Sequence, residues 1–364
     1  MKETATKVRV LIVDDSAFMR CLLSDLLESS GQITVVGIAR NGIDAVAKNK
    51  RLVPDVITLD IEMPEMDGLS ALTELMSTQP VPVVMLSSFT QSGAQETLEA
   101  LSRGAVDFIG KPDSPLELQD AELRQQVIDK VLQAATVEVS KLAKPVVMPA
   151  KASKETEGKR PLELPRGTFN EQVRVVAIGT STGGPRALQE VISQLPADGQ
   201  TAYLVVQHMP KGFTRSLAER LDSLSALTVG EAENGLIKPD HVYIAPGDYH
   251  LTTQMVDGKA HMQLSQSEPV NGHRPAVDVL FHSLATIPGL CKVAVVLTGM
   301  GSDGAKGLVA LKANGVYTIA EDASTAVIFG MPKAAIMAGG VNKAVSLQSI
   351  AEAISLGLAG GREN

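Results

Sequence analysis

Tryptophan is absent, aromatic residues are 3% of the chain, and cysteine occurs only twice in 364 residues. Cys21 falls in a helical pattern and Cys291 at the start of a strand, without CxxC spacing or a histidine cluster beside either. That spacing leaves no metal or redox motif, and both thiols are expected to be buried and structural. Positive charge is also scarce: the net charge is −8, and no basic stripe interleaves with aromatics. Nucleic acid is therefore not an expected partner. No apolar run reaches the ~20 residues of a spanning helix, and the start "MKETATKVRVLIVDD" lacks the apolar core and cleavage site of a signal peptide. A cytoplasmic protein, not inserted in a membrane, is expected, and nothing in the chain demands more than a monomer.

What is present is a hydrophobic content of 44%, enough for two cores, and a length that favours two domains. Residues 8–111 alternate strand-like runs ("VRVLIVDD", "ITVVGIA", "DVITLD", "VPVVMLSS", "VDFIGK") with amphipathic segments at 16–30, 41–52, 69–78 and 95–103. Five βα units predict a doubly wound parallel sheet in the order 2-1-3-4-5. In that order strands 1 and 3 are neighbours at the switch point where open α/β sheets bind ligands. Asp14, Asp15 and Asp60 meet there, and three carboxylates so close require a raised pKa or a cation; Mg²⁺ suits them. Ser87 and Lys111, at the ends of strands 4 and 5, add a hydroxyl and a cation to the same rim. The set is suited to a phosphoryl group, with Asp60 as acceptor and Ser87 and Lys111 as ligands of the transferred oxygens.

The motifs "VDDS", "LDIEMPEMDG", "VVMLSS" and "DFIGKP" resemble the receiver domain of response regulators across residues 6–138, a flavodoxin-like fold. The resemblance implies phosphorylation of Asp60 by a sensor histidine kinase. It also implies Mg²⁺ bound by Asp15, Asp60 and the Glu62 carbonyl with Asp14 in support, and Phe108 either as an aromatic switch residue or as plain core.

Residues 121 to about 143 read as helix, and the Pro-, Lys- and Glu-rich run that follows reads as a linker, assigned to 139–171. Strand-helix alternation then resumes over 172–362, predicting a second, Rossmann-like doubly wound domain. It carries a β stretch, "HVYIAP", "HLTTQM" and "AHMQLSQ", with a hairpin turn at Asp257-Gly258. Its first strand runs into "GTSTGGP", residues 179–185. The glycine spacing is neither that of a dinucleotide fingerprint nor that of a P-loop. It does fit G-x-S-x-G, a strand-to-helix elbow that exposes Ser181, although such a turn is also common as mere punctuation. A nucleophilic serine requires a base and an acid to orient it. His208 ends the next strand in "VVQHMP" and is the expected base, with His273 in reserve. Asp303, in "TGMGSDGA", is the expected acid, with helix capping as its bland alternative; Asp278 and Asp322 are weaker rivals.

"AIGTSTGGP", "VVQHMP", "HVYIAPGDYH", "HRPAVDVLF", "LTGMGSDGA" and "FGMPKAA" resemble the methylesterase domain of the CheB family. The resemblance implies Ser181, His208 and Asp303 as a triad, an oxyanion hole from the Met300 N–H and a donor near Thr182, and no cofactor for the ester reaction. It implies demethylation of glutamate methyl esters on chemoreceptors, with glutamine deamidation as a second activity. A receiver-controlled, non-catalytic adaptor is the alternative. Thr180 stands where a smaller residue is expected and would narrow the approach to Ser181, and the linker is longer than expected.

Overall fold

A computed structural model of the chain describes residues 6–88, 90–111, 121–142 and 173–360. The first sheet is β1 (Val8–Val13), β2 (Ile33–Ala39), β3 (Val56–Asp60), β4 (Val83–Ser87) and β5 (Asp107–Gly110), all parallel, in the predicted order 2-1-3-4-5. β3 and β4 are buried along their whole length, as strands covered on both faces must be, which explains their unbroken apolar runs. The helices α1 (Ala17–Ser29), α2 (Gly42–Leu52), α3 (Gly68–Thr78) and α4 (Gln91–Ser102) each begin at a side-chain cap, from Ser16, Asn41, Asp67 and Thr90. The Thr90 cap sets the start of α4 four residues ahead of the predicted 95. α5 (Ala121–Ala134) completes this unit. Cys21 corrects its expected burial: it is exposed on α1, whereas Cys291 is buried.

The second sheet is parallel too, in the order β15-β14-β13-β6-β7-β10-β8. These strands are β6 (Arg174–Thr180), β7 (Thr201–Gln207), β8 (Thr228–Glu231), β10 (His241–Ile244), β13 (Cys291–Val296), β14 (Tyr317–Glu321) and β15 (Lys343–Val345). A separate antiparallel sheet joins β11 (His250–Val256) and β12 (Lys259–Ser265) to the two-residue β9 (Gly235–Leu236). Asp257 and Gly258 have φ of 50° and 75°, the left-handed pair of the predicted hairpin turn. "HVYIAP" departs from expectation: as β10 it pairs with β7 and β8 in the main sheet.

The helices around the second sheet include α6 (Gly184–Ile192), α7 (Phe213–Leu224), α8 (Val277–Ala285), α9 (Ala305–Ala313), α10 (Met331–Met337) and α11 (Ile350–Leu358). α6, α7 and α9 start at the glycines Gly183, Gly212 and Gly304 with no side-chain cap. Two units pack against each other: one apolar cluster runs from Leu98 and Phe108 to Met209, Phe213, Leu217 and Ala218. Phe108 is 3% exposed and stacks on Phe213 at 4.5 Å. Nearly all of the predicted linker lies outside the described residues.

Candidate functional site

β6 ends at Thr180, and the chain turns sharply there because side chains are missing where space is tight. A Cβ on Gly184 would lie 2.0 Å from Gln207 Oε1, and one on Gly299 would lie 2.9 Å from the Ser181 Cβ. Gly183 turns the backbone with φ of 80°, a conformation costly for any other residue. Thr180 does not narrow the approach to Ser181: it is fully buried, and its hydroxyl donates to the Thr298 carbonyl at 2.9 Å. The parallel strands β6, β7 and β13 bring Ser181, His208 and the loop from Thr298 to Asp303 to one rim.

His208 Nε2 lies 2.8 Å from Asp303 Oδ2. The same carboxylate accepts the backbone N–H groups of Val277 at 2.6 Å, Asp278 at 2.9 Å and Gly304 at 3.0 Å. Asp303 therefore accepts from the first amides of α8 as well as bonding the imidazole, whereas its own helix α9 starts without a side-chain cap. Burial pushes its carboxyl up, but the hydrogen bond and charge of His208 and the two amides of α8 outweigh that and hold it below the usual carboxylate range. An ionised Asp303 keeps the imidazole proton on Nε2. His208 Nδ1, buried and without a hydrogen-bond partner, is then the ring atom left to accept a proton. Ser181 lines the same cleft of about 490 Å³. Among the described residues no hydrogen bond joins Ser181 Oγ to His208, a looseness usual in unliganded catalytic sites. Neither the Thr182 nor the Met300 N–H donates a hydrogen bond among the described residues. Both residues line the cleft, leaving two donors for a developing oxyanion.

Sequence reasoning missed several groups at this rim. Gln207 Nε2 donates to the Ser181 carbonyl at 3.0 Å and the His208 carbonyl at 3.2 Å, tying the two elbows together. Its position just before His208 is the available signal. The other missed groups come from the first unit. Thr182 Oγ1 donates to Asp107 Oδ2 at 2.5 Å, and Lys130 Nζ sits 3.2 Å from Asp107 Oδ1 and 2.7 Å from the Phe108 carbonyl. Asp107, Gln126 and Lys130 line the cleft with Ser181 and His208, so the first unit forms one wall of it. No sequence pattern announces a contact between units.

At the other rim, Asp14, Asp15 and Asp60 each offer an oxygen within 4.8 Å of the others. Lys111 Nζ reaches Asp60 at 2.7 Å and Asp14 at 3.0 Å. Burial, opposed by the Lys111 hydrogen bond and reinforced by Asp14 and Asp15, pushes Asp60 up to about 6. Lys111 is raised: burial lowers it, but the bond to Asp60 and both carboxylate charges prevail. Hard oxygen donors with negative charge in excess fit a hard divalent cation. Glu62 lines the same cavity of about 440 Å³. Ser87 is not brought to this cavity: it is 1% exposed, accepts from Thr97 at 2.7 Å and donates to the Gly93 carbonyl at 3.1 Å. Ser88 lines the cavity instead.

One chain thus carries an acidic, lysine-bridged rim on one α/β unit and a Ser-His-Asp rim on another, which defines a hydrolase coupled to a carboxylate switch. The family model "CheB methylesterase" matches residues 176–354, and "Response regulator receiver domain" matches residues 10–123. A protein-glutamate methylesterase/protein-glutamine glutaminase of Halalkalibacterium halodurans is 47% identical over 96% of this chain and 98% of its own length. The same-named protein of Geobacillus kaustophilus is 49% identical over 95% of this chain and 97% of its own. The crystal structure of the Thermotoga maritima CheB methylesterase catalytic domain is 48% identical, covering 51% of this chain and 99% of that one at a TM-score of 0.49. The chain belongs to the family of protein-glutamate methylesterase/protein-glutamine glutaminases. No helix among the described residues is long and apolar enough to cross a membrane.

Proposed function

We propose that the chain is a phosphorylation-gated serine hydrolase that removes methyl esters from glutamates of chemoreceptors and deamidates receptor glutamines, serving adaptation in chemotaxis. Ser181 and His208 lining one cleft, with Asp303 bonded to the imidazole, is the observation that carries this reading. Ser181 Oγ attacks the ester carbonyl while His208 Nδ1 takes its proton, and the N–H groups of Met300 and Thr182 receive the oxyanion. Each such donor is worth about 10²–10³ in rate. The C–O bond to methoxide breaks, His208 returns the proton, and methanol leaves. Water, deprotonated by His208, then attacks the Ser181 acyl ester; the bond to Oγ breaks, His208 returns the proton to Ser181, and the glutamate carboxylate is freed. An amide follows the same course with ammonia as leaving group.

In this reading residues 6–138 are the receiver, 139–171 the linker and 172–362 the hydrolase, all acting as a monomer in the cytoplasm. A sensor histidine kinase phosphorylates Asp60. Asp15, Asp60 and the Glu62 carbonyl hold Mg²⁺, with Asp14 beside them; when bound, the ion neutralises charge on the transferring phosphoryl group. Lys111 holds a phosphoryl oxygen, and Ser87 joins it by turning the hydroxyl proton it donates to the Gly93 carbonyl onto the phosphoryl group. Phe108, at the seam with Phe213, is the switch residue. The phosphorylated state is the one that loses the Thr182–Asp107 bond and uncovers the cleft, because only a difference in stability between two arrangements shifts their populations. An adaptor without chemistry is disfavoured by Ser181 and His208 lining one cleft with Asp303 bonded to the imidazole.

Methanol release from methylated receptor membranes, measured with and without a phosphodonor, tests the reading. Release that depends on Ser181 and rises with phosphodonor is expected; equal, slow release by wild type and Ser181→Ala would sink it.

A further inference from the structure

We propose that His273 is a positioning residue for the base, its ring acting as a flat plate that holds the His208 imidazole in one plane. This rests on the hydrolase reading above. The two rings stack with centroids 3.9 Å apart and 15° between planes. His208 is otherwise fixed by one ring bond, Nε2 to Asp303, and a single bond leaves the ring free to rock about its axis. A face-to-face neighbour removes that freedom.

The plate is itself rigidly mounted. Val270 and His273 exchange both backbone hydrogen bonds at 3.0 Å, closing a two-residue turn in which Asn271 and Gly272 have φ of 53° and 76°. That is the left-handed pair of a tight turn, compatible with Asn-Gly and few other pairs. On the other side, the Arg274 guanidinium forks onto Asp248 and reaches the Gln266 and Ser267 carbonyls. Among the described residues the ring nitrogens of His273 make no hydrogen bond, so the ring works through its face.

Its electrostatics suit the task. Burial first, then the charge of His208, and last that of Lys130, push His273 down to about 4, with Asp303 pulling the other way. The ring is therefore neutral at pH 7. When His208 takes the serine proton, it gains positive charge against a neutral π face, an attractive arrangement. A second base in this position would instead need its own carboxylate, and Asp303 is already occupied by His208 and three amides.

The test uses the full chain with phosphodonor and methylated receptor membranes, comparing His273→Leu, which fills the space without a planar face, with His273→Phe, which keeps the face and no nitrogen. His273→Leu is expected to lower kcat about tenfold while KM moves by less than about twofold, and His273→Phe to recover most of the loss. Thermal unfolding and Asp60 phosphorylation of both variants are expected to match wild type. Leu as active as wild type, or Phe as poor as Leu in a folded protein, overturns the proposal. Wild type no faster than Ser181→Ala overturns the hydrolase reading and this proposal with it, an outcome distinct from failure of His273 alone.

Discussion

Asp60 ends a parallel strand and Asp303 lies in the loop after one; both are buried carboxylates, 2% and 3% exposed, and they are shifted in opposite directions. Asp303 is met by four donors, three of them backbone amides that cannot leave. Asp60 is met by one lysine and faces two further carboxylates. Burial alone sets neither; the neighbours decide. One rim holds its charge with four donors on one carboxylate. The other is left short of positive charge, with one lysine against three carboxylates.

The contrast is sharpest in kinetics. Asp303→Asn is expected to lower kcat about 10⁴-fold by releasing the imidazole tautomer, while Asp60→Asn leaves basal methanol release intact and abolishes stimulation by phosphodonor. A loss of only tenfold in Asp303→Asn would erase the distinction. The pH dependence of folding follows next. Between 3.8 and about 6 the folded chain keeps the Asp60 proton that the unfolded chain has lost, so stability falls as pH rises through that window, by up to about 3 kcal/mol. Asp303 has the opposite sign: its contribution is present above the ordinary carboxylate pKa and is lost as pH falls. Chemical denaturation of wild type and Asp60→Asn from pH 4 to 7 reads the first, since the variant lacks that slope. Mg²⁺ at a hundred times its Kd is expected to stabilise the receiver by about 2.7 kcal/mol, an effect that Asp15→Asn removes in a thermal melt. Smallest is the seam between the units. Asp107→Ala removes the bond to Thr182 and is expected to raise basal methanol release about tenfold, the worth of one hydrogen bond to a charged group.

The sheet order of the first unit was legible because each strand is rich in apolar residues and helices α1 to α4 each begin at a Ser, Thr, Asn or Asp. The second sheet was legible only at its centre. β8 and β15 are short and lie at its two edges, where one face of pairing is missing and apolar character is not required. Ser181, His208 and Asp303 could be named because each follows a strand and the crossover rule puts strand ends on one rim. Asp107 and Lys130 could not, because contacts between units leave no periodic trace; His273 could be named as a reserve base but not as the ring stacked on His208. Ser87 was placed by strand position alone, which fixes a Cα and says nothing of the rotamer that turns its hydroxyl to Thr97.

β5 has Asp107 at one end, bonded to Thr182 beside Ser181, and is followed directly by Lys111, bonded to Asp60. The Lys111 N–H donates to the Ser87 carbonyl, so the lysine still belongs to the ladder with β4. Four steps of extended chain span about 13 Å, and an extended strand has no slack to give. The strand therefore sets a fixed spacing between the lysine that bridges Asp14 and Asp60 and the aspartate that holds Thr182.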